Sequence, residues 1–199
     1  MKIVAKDFYR VFNERTKPEF SELGFKRSKA NAHGWQRAHD ESEVLFWPQL
    51  DKWGWNEETG SRVAFNFSIS AKATAAFVIG GGSAAVQPRW CRLGNLLSSD
   101  ELDAVRRANN VVAQRNWPPN EEGLYWRTWE ANHPGLYAAT YGPKNEPIKP
   151  GADTWLRYFS TEDVVWIGDF MAERLPLLID RLLANPNISA FGAIYAPAT

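Results

Sequence analysis

The 199-residue chain has almost no cysteine, no net charge and no long hydrophobic run. Its single cysteine, Cys91, cannot form an intramolecular disulfide, which is typical of a protein in a reducing compartment. Basic and acidic residues both number 23, so no global field attracts nucleic acid or an anionic membrane. No stretch approaches the ~18 apolar residues of a membrane span, and the first residues lack the apolar region of a secretory signal. We therefore expect a cytoplasmic protein.

Tryptophan is the residue type in clear excess, with 10 copies in the chain. Aromatic side chains bury large areas and dominate both protein cores and binding interfaces. The length and the 44% hydrophobic content suit one domain with its own core, so we expect residues 1–199 to form a single domain.

Three segments have the periodicity or the caps of helices. The first runs from Asp7 to Leu23, with a kink or a break expected before Pro18 because proline removes a backbone donor. The second begins at a serine cap, either Ser98 or Ser99. The third, the most strongly amphipathic, is capped by Thr161, and Pro176 is expected to kink it.

Alternating apolar and polar residues between the helices predict an antiparallel sheet of about five strands. A hairpin joins Phe25–Arg27 to Trp35–Arg37, and a strand of bulky residues covers Glu43–Gln49. Pro48 places the end of that strand at an edge or bulge. Residues 62–70 alternate most clearly. The prediction is an α+β fold with the N- and C-terminal helices packed on one face of the sheet and the other face partly exposed.

Two groups of residues are candidates for recognition. Trp53 and Trp55 lie in a polar loop, where large aromatics are unusual, and tryptophan is enriched in binding hot spots. The alternative is that both rings fold back onto the sheet and are buried, because tryptophan is highly buried on average. Gln49, Asn66 and Arg92 are polar residues within apolar strand segments. If they share a face with Arg37, they form a polar cluster that must be hydrogen-bonded internally or meet a ligand.

Other patterns suggest chemistry only weakly. Cys91 lies close to two arginines, which could activate a thiolate, but no histidine has a telling spacing. A buried structural cysteine is the alternative. A Gly-Gly-Gly-Ser-Ala-Ala run at residues 80–85 matches a dinucleotide fingerprint, but Pro88 ends the helix that should follow. His33, His39 and His133 show no metal-binding spacing, so no metal and no cofactor are expected.

The order of short motifs in the first half of the chain resembles a bacterial domain-of-unknown-function family, family 4304. The motifs are residues 20–27, Trp35–Arg37, Leu45–Gln49, Val63–Phe67 and Arg92–Leu96. Pro48 and Val63 depart from the family pattern. The resemblance implies an α+β fold and a bacterial cytosolic setting, and it carries no established activity.

The expected function is that of a non-enzymatic module that binds another protein through its exposed aromatics. The alternative is an enzyme acting on a small ligand or sugar, in a cleft between the sheet and the Pro- and Gly-rich segment of residues 132–153. Nucleic acid is not an expected partner, because the net charge is zero and no aromatic signature of an RNA-binding sheet is present.

Overall fold

The computed structural model describes residues 2–28, 33–51, 54–55, 57, 60–71, 90–116 and 154–185. Three α-helices, six strands and one short 3-10 helix lie within these ranges. The helices are α1 (Ala5–Glu22), α2 (Ser99–Asn116) and α3 (Thr161–Ala184), and the 3-10 turn covers Leu93–Asn95. The strands are β1 (Lys26–Arg27), β2 (Trp35–His39), β3 (Ser42–Leu50), β4 (Ser61–Ala71), β5 (Trp90–Arg92) and β6 (Trp155–Tyr158).

All pairings in the sheet are antiparallel, and the strands follow the order β1-β2-β3-β4-β5. The long strand β4 is the centre of the sheet. Strand β3 pairs with one of its edges over nine residue pairs. The other edge is shared, because β6 pairs with residues 61–64 and β5 with residues 66–68. Side chains of β5 and β6 are thereby neighbours across β4, although about 60 residues separate them in the chain.

Helices α1 and α3 pack on one side of the sheet, which we call the helix face. Alternation places Val44 and Phe46 of β3 and Phe65 and Phe67 of β4 on this face, within one hydrophobic cluster with both helices. Phe12 of α1 stacks on the Phe65 ring at 5.3 Å. The expectation of an antiparallel sheet with N- and C-terminal helices on one face is confirmed.

The two helices approach closely because α3 carries a glycine at the crossing. A Cβ atom on Gly168 would lie 2.7 Å from the Cβ atom of Arg15, which is closer than such atoms pack. Beside this contact, Arg15 donates to Asp169 at 2.6 Å and joins the two helices at the surface.

The structure corrects some details of the sequence prediction. Of the kink or break expected before Pro18, the break is wrong, because α1 runs unbroken through it. Proline leaves the carbonyl of Glu14 without its helical partner, and Glu14 is exposed, so water can bind that carbonyl. Helix α3 contains Pro176, where a kink stays a prediction, and its cap is Ser160 instead of the expected Thr161. Strand β6 has no counterpart in the prediction. Pro48 does lie at a local edge, since β2 pairs with β3 only as far as Phe46.

Candidate functional site

Functional interest centres on the side of the sheet opposite α1 and α3, which we call the second face. The register places Gln49 and Trp155 on either side of Ala64 in β4, and Trp47 and Arg92 on either side of Asn66. All of these residues have the parity opposite to that of Phe65 and Phe67, so their side chains point away from the helices. Gln49 is exposed and Arg92 and Trp155 are partly exposed. The second face therefore reaches solvent around these three side chains, whereas Ala64 and Asn66 on the same face are fully buried.

A hydrogen bond crosses the central strand on this face. Arg92 donates from Nη1 to Oε1 of Gln49 at 2.9 Å, although the two residues belong to strands on opposite sides of β4. The bond can form because Ala64, which lies between the flanking strands, has only a methyl group and is fully buried. A larger residue at that position would separate the two side chains.

The indole ring of Trp155 lies under two guanidinium groups. The guanidinium carbon of Arg62 is 5.2 Å from the ring centroid, and that of Arg92 is 5.5 Å away. Both distances are within the range of a cation–π interaction. Arg62 also forms an ion pair with Asp51, whose backbone pairs with the same strand. We call Gln49, Asp51, Arg62, Arg92 and Trp155 the Arg–Trp cluster.

Helix α2 holds the strand that carries Trp155. Asn109 donates from Nδ2 to the carbonyl of Trp155 at 2.8 Å, and its Oδ1 accepts from the backbone N–H of Arg157 at 2.8 Å. One side-chain amide thus satisfies a donor and an acceptor on the edge of β6, in the manner of a neighbouring strand. Because Asn109 is itself buried, it fixes the backbone on which the indole is mounted.

Asn66 lies beside the Arg–Trp cluster and is fully buried. Its Nδ2 donates to the carbonyl of Trp47 over a long 3.3 Å, and its Oδ1 has no hydrogen-bond donor within the described part of the chain. A buried amide oxygen without a donor is costly, and native proteins retain few of them. Such a group is a candidate for contact with a ligand or for a stored strain.

Three arginine side chains belong to the second face, and one of them, Arg157, is buried. Arg62, Arg92 and Arg157 all lie there, and Arg62 and Arg157 are direct register partners. Like charges directly opposite in a sheet are destabilising. The ion pair of Arg62 with Asp51 offsets part of this repulsion.

The structure separates the six residues predicted for the site. Gln49, Asn66 and Arg92 come together on the second face, as described above. Arg37 does not join them, because it pairs with Val44 and so has the parity of the helix face. Its guanidinium donates to the carbonyl of Leu23 at 3.3 Å and lies 5.4 Å from the Phe25 ring. The expectation of one cluster that includes Arg37 is therefore corrected.

Trp55 lies against the turn between β6 and α3. Its indole Nε1 donates to the carbonyl of Phe159 at 3.1 Å, and the two rings are 5.2 Å apart. The side chain is partly buried and packs against the core. Trp53 lies outside the described residues.

The remaining sequence candidates within the described residues do not form a second site. Cys91 is fully buried and belongs to the helix-face core, opposite Phe67. Within the described ranges, no three histidine, cysteine or acidic side chains come close enough to hold a metal ion. His133, the glycine run at residues 80–85 and the segment 132–153 lie outside those ranges. No described helix has the length and apolarity to cross a membrane.

Two titratable groups with shifted pKa values stack on each other at the N-terminal half of α1. The rings of Tyr9 and His33 are nearly parallel, with centroids 3.5 Å apart. Burial, with a contribution from Tyr158, raises the pKa of Tyr9 to about 12. Burial and the charge of Arg27 lower the pKa of His33 below its usual value. This stack lies apart from the Arg–Trp cluster and is a feature of packing.

No family model, curated protein or solved structure matches the chain. The resemblance to family 4304 therefore stays a prediction, and the site has to be interpreted from its own chemistry.

Sequence reasoning did not include Arg62, Asp51 and Trp155 among the site residues. Arg62 could have been found, because it is four residues from Asn66 in an alternating strand and must share its face. Trp155 could not, since only the register of β6 against β4 brings it to Arg62.

Proposed function

We propose that this protein is a non-enzymatic module of the bacterial cytosol that binds another protein through the second face of its sheet. The observation that carries the proposal is the Trp155 ring with the guanidinium groups of Arg62 and Arg92 around it. Tryptophan and arginine are the residue types most enriched in interface hot spots. Here they are partly exposed and adjacent, as an interface anchor must be.

Preorganisation of the cluster supports the same proposal. Its side chains lie on or next to paired strands. Gln49 accepts a hydrogen bond from Arg92, and Asp51 forms an ion pair with Arg62. Asn109 binds the backbone carbonyl of Trp155. A rigid anchor loses little conformational entropy when a partner binds, so more of the contact energy appears as affinity.

The alternative function, an enzyme acting on a small ligand or sugar beside the sheet, draws support from the orphaned Oδ1 of Asn66. A small ligand could supply the missing donor. A reaction would also need a general acid or base. The carboxylate of the cluster, Asp51, is already engaged by Arg62. We therefore place protein binding first.

The test is affinity capture from a lysate of the encoding organism, followed by reconstitution with the purified captured protein. The Arg92→Ala and Trp155→Ala variants probe the cluster. Arg10→Ala is the matched control, because Arg10 is exposed on α1 and its side chain pairs with its helical neighbour Glu14, away from the second face. All variants are first checked by thermal melting.

A partner that binds the native protein and the Arg10→Ala variant, and loses at least about tenfold in affinity with either cluster variant, would support the proposal. A partner that binds every variant equally would remove the second face as the interface. A small molecule in place of a protein in the captured material would favour the enzyme alternative.

A further inference from the structure

Arg27 of β1 is an exposed but partly desolvated arginine that forms no ion pair within the described part of the chain. Its guanidinium donates from Nη1 to Oδ1 of Asn13 at 3.1 Å, and this is the one hydrogen bond of the side chain among the described residues. Partial burial lowers the pKa of Arg27 below its usual value. A guanidinium carries several N–H donors, and a desolvated charge without a counter-charge is unfavourable. Arg27 is therefore suited to a negatively charged acceptor.

Trp35, the register partner of Arg27, has a buried indole N–H without an acceptor. The side chain is only 3% exposed, and its Nε1 has no hydrogen-bond partner among the described residues. Phe20 stacks on the ring with centroids 4.7 Å apart, and the guanidinium carbon of Arg27 lies 4.7 Å from the same centroid. These two contacts hold the ring in one orientation. Because a buried indole N–H usually has a partner, this one is a second donor that lacks its acceptor.

The two donors lie together, apart from the Arg–Trp cluster. Directly opposed residues of an antiparallel pair share a face, and Trp35 also pairs with Phe46 of the helix face. Arg27 and Trp35 therefore belong to the edge of the helix face, beside α1. The guanidinium over the ring brings its N–H groups next to the indole nitrogen. One charged and one neutral donor side by side suit an oxyanion, which has an oxygen for each.

Entry of an anion requires a side-chain movement, because the indole N–H is covered in this structure. Arg27 is the side chain that can move, since it is exposed and a single hydrogen bond to Asn13 holds its guanidinium. A shift from the face of the indole towards its N–H edge would place both donors on one anion. Contacts between a guanidinium and an oxyanion are short, strong and frequently bidentate, so they offset the loss of the bond to the neutral amide of Asn13.

We propose that Arg27 and Trp35 form a binding site for a small oxyanion, with the guanidinium and the indole N–H bound to two oxygens of one phosphate or carboxylate group. The site is separate from the second face and goes beyond the proposed function. It predicts that a carboxylate supplied to Arg27 from within the chain prevents the anion from binding.

Three variants with the same change of net charge test this site. Arg27→Gln removes the guanidinium. Asn13→Asp keeps the guanidinium and supplies an internal carboxylate, because Oδ1 of Asn13 already accepts from Arg27. The matched control is Lys26→Gln, since Lys26 is exposed, precedes Arg27 in β1 and points to the opposite face of the strand. Each variant lowers the net charge by one, so an effect of overall charge would change all three equally.

The probes are sodium phosphate and sodium acetate, each exchanged for sodium chloride at constant ionic strength. NMR spectra follow the Nε–H signal of Arg27 and the indole N–H signal of Trp35, which is assigned by its loss in Trp35→Phe. We expect at least one anion to shift both signals with a Kd on the order of 1 mM. Arg27→Gln and Asn13→Asp should weaken binding about tenfold, whereas Lys26→Gln should stay within about twofold of the native protein. Tighter binding of phosphate or of acetate identifies the group that the site prefers.

Several results would overturn the proposal. One is the absence of any shift at Trp35 with either anion up to about 20 mM, and another is equal weakening by all three variants. Trp35→Phe keeps a ring against Phe20 and removes only the N–H donor together with part of the ring. Unchanged anion affinity in that variant, measured at Arg27, would exclude the indole from the site. Thermal melting first checks that each variant folds, and the surface variants Arg27→Gln and Asn13→Asp decide the outcome if Trp35→Phe does not.

Discussion

Replacement of Asn66 by leucine should leave the protein at least as stable as it is. Asn66 is fully buried, makes one long hydrogen bond to the Trp47 carbonyl, and has an Oδ1 without a donor among the described residues. Leucine has the same number of side-chain heavy atoms and the same branching. The Asn66→Leu variant therefore removes the polar groups without leaving a large void.

The magnitude follows from two opposing contributions. Removing an orphaned buried acceptor recovers about 1–3 kcal/mol, and losing a net hydrogen bond costs about 0.5–1.5 kcal/mol. Because the bond of Nδ2 is long at 3.3 Å, its contribution belongs at the low end. We expect the free energy of unfolding to stay level or rise by up to about 2 kcal/mol.

Ser68→Ala provides the contrast on the same face. Ser68 is also fully buried, but its hydroxyl is bonded to that of Ser70 at 3.1 Å. Its removal should lower the free energy of unfolding by about 1 kcal/mol. Urea unfolding followed by tryptophan fluorescence measures both variants, with an unchanged slope as the sign that only stability has changed.

A loss of more than about 1 kcal/mol in Asn66→Leu would refute the reasoning, because it would mean that the amide is a satisfied structural group. The functional consequence is separable. A stable Asn66→Leu variant that no longer binds the captured partner would assign Asn66 to recognition. Strong destabilisation of Asn66→Ala with binding intact would assign it to structure.

Two further predictions concern the rest of the chain. Gly60 and Gly54 both have positive φ values, of 67° and 72°, so alanine should strain the backbone at either position by about 1–2 kcal/mol. A Cβ atom at Gly60 would also collide with the carbonyl oxygen of Tyr158, whereas the space at Gly54 is open. Thermal melts should therefore show Gly60→Ala to be at least about 1 kcal/mol less stable than Gly54→Ala, and equal losses of stability would contradict the packing at Gly60. The lowered pKa of His33 means that the folded state favours the neutral imidazole. The contribution of His33 to stability is therefore present above the unfolded pKa of about 6.5 and is lost as pH falls through the lower folded value. His33→Phe keeps a ring against Tyr9 and should flatten the acid side of a plot of unfolding free energy against pH, whereas an unchanged slope would show that another group causes the acid dependence.

Much of the fold could be predicted because its signals are local. The alternation from Arg62 to Ser70 predicted β4 and the faces of its residues, and a serine cap before acidic residues predicted the start of α2, where Ser98 and Glu101 form reciprocal bonds. Such patterns depend on neighbours within a few positions, so they can be interpreted without the rest of the molecule. They were enough to predict the class of fold.

Local rules failed where distant contacts compensate for a local cost. Pro18 should end a helix by propensity, but burial of Phe12 and Phe20 on either side of it holds α1 together. The loop sequence left both exposure and burial open for Trp55, and its bond to Phe159, more than 100 residues away, makes it part of the packed structure. Propensity is a weak signal beside such packing.

By itself, the sequence determined the alternation, the helix caps, the neutral charge balance and the lack of an intramolecular disulfide. These features were enough to predict the α+β class and to identify Gln49, Asn66 and Arg92 as polar residues within strands. Only the tertiary structure decided that these three share a face, that Arg37 lies on the other, and that Trp155 completes the cluster. The physical reason is register. A shift of one residue between two strands moves a side chain to the opposite face, and that register is set by the packing of the whole core.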